Sequence, residues 1–284
     1  MSKKMIDNDQ QQQQQQQLKI KTTHRTESTN VAITDTDDAP KQLQQLMLDV
    51  CLSPDHATFD NFYTGNNQNI VLLLQSMLNN DLNPSIKFIY LWGEHACGRT
   101  HLLTACCSHC RNQHDRDINP NSTAIYIPFK DLKGSSPKIL ENLENMSLLC
   151  FDDFDAIAGF THWEEEFLHC FNRLQQPQKS CYIVVTANAT PSALPLKLED
   201  LRSRMNSGII HEVKALDDEQ KIAALQSRAK QLGLTLSNRA ASFLINHYSR
   251  DTTSLFTLLH ELDQKSLQAY CRITIPFIKQ VLKI

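Results

Sequence analysis

The chain has 284 residues, with 28 Lys and Arg against 31 Asp and Glu, a formal charge of −3, and 41% hydrophobic but only 7% aromatic residues. That length accommodates one or two domains, and the balance of charge excludes a broad basic surface that grips nucleic acid, so any contact with DNA is expected to be local or made through a partner. Apolar runs such as Ile70–Leu74 fall far short of the roughly 20 residues of a bilayer span, and the start MSKKMIDNDQ lacks the apolar core of a secretory signal. A cytoplasmic location, no membrane contact and reduced thiols for the nine cysteines follow as expectations.

Residues 1–40 contain the unbroken run Gln10–Gln17 and no aromatic side chain. Such a segment cannot bury enough surface to offset chain entropy and reads as a disordered Gln-rich tail. Residues 41–57 follow as a linker, and the first aromatic, Phe59, opens a pattern of apolar blocks between turn residues. Phe88–Trp92, Ala124–Phe129, Leu148–Phe151 and Cys181–Thr186 are short runs without alternation, as expected of strands buried on both faces of a parallel sheet. Helical spacing recurs between them, in Leu102, Leu103, Cys106, Cys107 and Cys110 and again in Trp163, Phe167, Leu168, Phe171 and Leu174. This alternation predicts an α/β layered domain over 58–214, with Ile209-Ile210 as a fifth strand. Beyond it the pattern is helical, in blocks 217–231, 237–247, 253–270 and 276–284 with a break at Gly233, predicting a small all-helical domain over 215–284.

Gly93-Glu94-His95-Ala96-Cys97-Gly98-Arg99-Thr100 fits the phosphate-loop pattern G-x-x-x-x-G-K-[ST], with arginine in place of lysine, between a predicted strand and a predicted helix. Two glycines let consecutive N–H groups curl toward phosphate oxygens, and Thr100 offers a hydroxyl to Mg2+. The guanidinium is broad and planar where an ammonium is a compact donor able to follow a moving phosphoryl group, so binding survives the exchange better than hydrolysis. The strand Leu148–Phe151 ends in Asp152 and Asp153, which suits one carboxylate for Mg2+ and another for a nucleophilic water. Asn188, after the fourth strand, taken alone reads as an ordinary turn asparagine, the alternative being a side chain that reaches the γ-phosphate or that water. Cys106, Cys110 and His114 share a helical face, but spacings of four without a second half-site read as a buried thiol-lined surface rather than a zinc site. Glu164-Glu165-Glu166 reads as carboxylates that complement a helix dipole.

Together these residues resemble the AAA+ ATPases, and within them the branch formed by the bacterial initiator DnaA and its shortened relative Hda. The resemblance covers roughly 58–284 and implies a P-loop three-layer sandwich with a parallel sheet, followed by a helical lid. Thr58-Phe59-Asp60-Asn61-Phe62 is similar to the segment that lies against adenine. Gly93–Thr100 resembles Walker A, Leu149–Asp153 Walker B, and Thr186-Ala187-Asn188 sensor 1. Asp200-Leu201-Arg202-Ser203-Arg204 resembles the segment carrying the arginine finger, at Arg204. The set Asp60, Asn61, Phe62, Gly93 through His101 and Asn188 is thereby expected to bind ADP or ATP, with Thr100, Asp152 and Asp153 toward Mg2+. Gln45-Leu46-Met47-Leu48-Asp49-Val50 resembles the glutamine-leucine peptide with which replication proteins bind the sliding clamp, with Asp49 and Val50 departing from the usual proline and larger apolar residue. The sensor 2 arginine of the lid has no counterpart, because Thr253 stands at its place and Arg250 is three residues away.

The absence of a helix-turn-helix segment after Ile284, and Arg99, point toward the Hda side of the branch. The implied activity is negative regulation of replication initiation: an ADP-bound protein that contacts DNA through the sliding clamp of DNA polymerase III and uses Arg204 in trans to stimulate hydrolysis of DnaA-bound ATP, with weak or absent hydrolysis of its own. A homo-oligomer is left open. The alternatives are an ATP-hydrolysing helicase loader or DnaA-like replication accessory protein, and an adaptor whose nucleotide site has decayed.

Overall fold

The computed structural model describes residues 57–283, except 82, 84–85, 116–122, 133, 177–180 and 270–272. The Gln-rich tail and the peptide Gln45–Val50 lie outside the described residues. Five strands form one parallel sheet: β1 Phe88–Trp92, β2 Ala124–Pro128, β3 Leu148–Asp152, β4 Tyr182–Ala187 and β5 Ile209–Glu212, in the order β2-β3-β4-β1-β5. Among the described residues, four α-helices accompany them: α1 Gln68–Leu78, α2 Arg99–Asp115, α3 Thr161–Leu174 and α4 Glu199–Met205.

The two faces of the sheet bury alternate residues, as a period of two requires. Leu149 and Phe151 point into one core with Phe167, Cys170, Phe171 and Leu174 of α3. Leu148 and Cys150 point into the other, with Leu74 and Met77 of α1 and Leu102, Leu103, Cys106 and Cys110 of α2. Sandwiching between helices explains the continuous apolar runs, and the expected thiol-lined face of α2 is buried in this second core. Phe129, just past β2, anchors an aromatic cluster, its ring centroid 5.6 Å from Phe151, 5.8 Å from Trp163 and 5.7 Å from Phe167.

Strand limits shift slightly from the sequence reading. β2 ends at Pro128, paired with Asp152, with the N–H of Phe129 making the last bond of that ladder to the carbonyl of Asp152 at 3.0 Å, and β3 runs through Asp152. Helix α1 is an element that the sequence reading did not assign; Ile70, Val71, Leu74, Met77 and Leu78 form its buried stripe.

The remaining helices are α5 Asp218–Gln231, α6 Asn238–His247, α7 Thr252–Ala269 and α8 Ile275–Leu282. They enclose a core of their own, centred on Leu225, Leu244, Leu255, Leu259 and Ile278. Their starts are written in the sequence. Asp217 and Gln220 form a reciprocal capping box, while Ser237 and Thr274 accept from the N–H groups of Ala240 and Phe277. Gly233, at φ +75°, ends α5, with Leu234 N–H reaching back to Ala229 O at 2.8 Å. No described helix is long and apolar enough to cross a membrane.

Both tryptophans, Trp92 and Trp163, belong to the sheet domain, so their fluorescence follows its unfolding. Phe129→Ala is expected to lower that domain's stability by about 3–5 kcal/mol, seen as a lower urea midpoint with unchanged slope.

Candidate functional site

The order of the strands brings the carboxyl ends of β1, β4 and β3 side by side, where ligands bind in open parallel sheets. The loop 93–98 leaves β1 there. Gly93 is closely packed: a Cβ would lie 2.3 Å from the carbonyl oxygen of Val213. Ala96 and Gly98 have φ of +58° and +101°, so the backbone curls before α2 begins at Arg99. A Cβ on Gly98 would stand 2.8 Å from the ring of Phe62.

Asp152, at the end of β3, is 2% exposed. Its Oδ2 accepts from the Thr100 and Tyr126 hydroxyls, both at 2.7 Å, and its Oδ1 accepts from the Thr186 hydroxyl and from Asp153 N–H at 3.2 Å. Burial raises the Tyr126 hydroxyl pKa, and Asp152 adds to the rise by its charge and by accepting the bond, so the phenol stays a donor. Asp153 has left-handed backbone, φ 52°. Burial pushes its carboxyl above the usual range, Asp152 pushes the same way, and Arg99 opposes both.

Arg99 is 9% exposed, with Nη2 3.7 Å from Asp153 Oδ1. Its Nη1 is buried without a hydrogen-bond partner among the described residues. A buried, unpaired donor on a cation is costly and suits an anion in the cleft.

On one side, Thr58 and Asn61 bond each other reciprocally (Thr58 N–H to Asn61 Oδ1 2.8 Å, Asn61 N–H to Thr58 Oγ1 3.3 Å). His101 Nε2 lies 3.0 Å from Thr58 O, and its ring centroid is 5.2 Å from Phe62. The segment 58–62 is thus fixed on the first turn of α2. On the other side, α7 presents Thr252, Thr253, Phe256 and Thr257. The cleft between them encloses about 1180 Å³, slightly above the roughly 300–1,000 Å³ of common small-molecule sites.

Residues 53–212 match the family described as the bacterial DnaA ATPase domain, and residues 218–282 match the lid domain of Hda. An uncharacterized protein of Haemophilus influenzae is 41% identical over 230 residues, 81% of this chain and 95% of its own length. The chain belongs to the bacterial DnaA ATPase family. It is a DnaA-related AAA+ protein of DNA replication, with an Hda-type lid. Domain III of the Thermotoga maritima initiator DnaA shares the fold, with a TM-score of 0.64 at 21% identity over 82% of this chain and 97% of that one. AMPPCP-bound DnaA from Aquifex aeolicus has a TM-score of 0.57 at 23% identity, over 75% and 69% of the two chains.

Within this AAA+ cleft, Asn61, Phe62, His95, Ala96, Cys97, Gly98, Arg99, Thr100, His101, Asp153 and Asn188 all line the wall. Asp60, Gly93 and Glu94, singled out with them in the sequence, do not: Asp60 and Glu94 are exposed, and Gly93 lies buried at the base of the loop. Asp155, which the sequence reading passed over, joins the wall and accepts the N–H of Asn188 at 2.9 Å. Its position two residues beyond the Walker B pair was the available signal. Arg250 does not line the cleft and pairs with Asp218 at 3.7 Å, whereas Thr253 does line it. His95 Nδ1 lies 3.8 Å from Asp251 Oδ1 and so links the phosphate loop to the start of α7.

Arg204 stands outside the cleft on α4, its side chain 49% exposed and 3.6 Å from Asp200. Glu164 departs from the dipole role expected of it: it is fully buried and accepts backbone N–H groups from Gly159, Lys197 and Leu198.

Thr186→Val removes one hydroxyl donor from buried Asp152 and should cost about 1–3 kcal/mol in tryptophan-monitored denaturation. Combined with Asp152→Asn, the two losses should fail to add by at least ~0.5 kcal/mol.

Proposed function

We propose that this protein is a negative regulator of replication initiation, an ADP-bound AAA+ protein that docks on the DNA-loaded sliding clamp through Gln45–Val50 and stimulates hydrolysis of ATP held by DnaA. The contrast between two arginines carries this reading. Arg99 is buried in the protein's own cleft beside Asp153, whereas Arg204 is exposed on α4 and pairs, among the described residues, with the surface carboxylate of Asp200.

The residues present fit a nucleotide. The curled loop at Ala96 and Gly98 and the orphaned Nη1 of Arg99 suit phosphate oxygens, and Thr100 and Asp152 supply the hydroxyl and carboxylate oxygens that Mg2+ prefers. Phe62 and His101 offer rings to the base. A bound nucleotide supplies the phosphate charge that these groups are arranged to neutralise.

Weak hydrolysis in this cleft is supported by two features. The planar guanidinium of Arg99 faces Asp153, the carboxylate otherwise placed to orient a water. The described lid residues that line the cleft include no cation, since Thr253 stands where an arginine would and Arg250 turns to Asp218. ADP is therefore the resident nucleotide in this reading, and the chain acts on its partner rather than as an enzyme itself.

Arg204 supplies the reactive charge. Its pair with Asp200 spans one helical turn at the surface, an interaction of about 0.3–0.5 kcal/mol that is readily given up. Delivered to DnaA's triphosphate, the guanidinium stabilises negative charge on the transferring phosphoryl oxygens, an effect of about 10³–10⁵ in rate for GTPases. Clamp docking brings DNA and the initiator together without a basic surface on this chain, in keeping with its charge of −3.

Hydrolysis of DnaA-bound ATP, followed with this protein and clamp-loaded DNA, tests the reading. Arg204→Ala should reduce stimulation by about 10³-fold or more while clamp binding persists, and Gln45→Ala with Leu46→Ala should abolish clamp co-migration. Undiminished stimulation by Arg204→Ala overturns the finger assignment. Separately, denaturing the purified protein should release ADP; release of ATP together with steady turnover would overturn the passive cleft.

A further inference from the structure

The connector between β4 and α4, residues 188–198, has no regular ladder to take up its polar groups, and two charged side chains take two of its N–H groups and four of its carbonyls. The carboxylate of Glu164, at 0% exposure on the first turn of α3, accepts Gly159 N–H at 2.6 Å and the N–H groups of Lys197 and Leu198, each at 2.9 Å. The guanidinium of Arg202, on α4, donates to the carbonyls of Pro191 at 3.1 Å, Ser192 at 3.3 Å, Leu194 at 3.0 Å and Leu196 at 2.6 Å. Within residues 191–198 an anion takes the last two amides and a cation takes the carbonyls before them. The neighbouring Glu165 is exposed and lies 3.8 Å from His162.

We propose that Glu164 and Arg202 are positioning residues that set the direction in which Arg204 leaves the molecule; this rests on the arginine-finger reading above. Residues two apart on a helix point about 200° from each other. With Arg202 turned into the connector, Arg204 faces outward, as observed. Leu201 and Met205 are fully buried on the inner side of α4, but apolar contact is non-directional and tolerates rotation of so short a helix. Hydrogen bonds weaken steeply with angle, so the bonds of Arg202 fix the roll of α4 and those of Glu164 fix the point from which it starts. Pro191 and Pro195 restrict the connector further. The device costs the burial of a carboxylate, which its N–H partners offset.

The test is a titration of DnaA-bound ATP hydrolysis against the full-length chain on clamp-loaded DNA, reading the plateau rate and the half-saturating concentration. Glu164→Gln keeps the shape but sets an NH2 group against N–H donors; Arg202→Lys keeps the charge but cannot span four carbonyls. Each should lower the plateau by about tenfold to a hundredfold, the cost of an ångström-scale misplacement, with the half-saturating concentration unchanged. A purely structural role predicts the opposite: fewer folded molecules shift half-saturation upward and leave the plateau intact, and that result overturns the proposal. Arg202→Lys, at a partly exposed position, decides the matter if Glu164→Gln does not fold. Arg204→Ala runs in the same series. If it abolishes the plateau while both other variants retain theirs, the finger reading stands and the positioning proposal fails. If Arg204→Ala keeps a full plateau, the finger reading itself fails.

Discussion

A single buried carboxylate ties this site together. Asp152 closes β3 and receives hydroxyls from Thr100 on α2, Tyr126 on β2 and Thr186 on β4. A charge removed from water is tolerable only when its lone pairs are occupied, and here donors from three other elements occupy them. The relative heights of β2, β3 and β4 and the first turn of α2 are therefore set by one side chain. The phosphate loop, whose last residue is Thr100, cannot move far without breaking that set.

Much of this was legible in the sequence because it depends on local rules. Continuous apolar runs announced strands covered on both sides, and Asp217, Ser237 and Gly233 marked helix ends through chemistry that acts over three or four residues. The phosphate loop was recognisable because its glycines serve backbone geometry. What stayed hidden depends on contacts between distant segments. Glu164 sits among three consecutive glutamates, and only the return of residues 197–198 to its side makes it different from Glu165. Tyr126 looks like any strand aromatic until its hydroxyl meets Asp152, 26 residues on. Helix α1 was missed because five of its apolar residues, Ile70–Leu74, run together instead of showing a clean stripe.

The sheet domain and the lid each hold their own apolar core. Between them, His95 of the phosphate loop approaches Asp251 at 3.8 Å, while Asn67 pins the end of the sheet domain by bonding both the carbonyl and the N–H of Lys214 at 2.8 Å. Asp251 itself is held below the ordinary carboxylate range: burial acts upward, but the hydroxyl and N–H of Ser254 outweigh it. A contact of this kind buries little surface. The cleft lies along that seam, so its lid wall rests on fewer and weaker contacts than its floor, where regions that move with ligands are usually found.

The two arginines of the proposed mechanism show how placement decides what a cation can do. Inside the cleft, desolvation and a facing carboxylate commit Arg99 to neutralising charge that is already present. On α4, water screens Arg204 from Asp200, and little free energy is lost when it leaves for a stronger anion. Freedom of the side chain alone would be a liability, because a long, mobile guanidinium samples many directions and pays entropy to adopt one. The connector beneath α4 answers that difficulty. Its backbone is bonded to Glu164 and Arg202, so the helix is held stiffly while the tip of Arg204 remains in solvent. A rigid base with a solvated tip is what a group requires if it must stay idle in its own molecule and act at once in another.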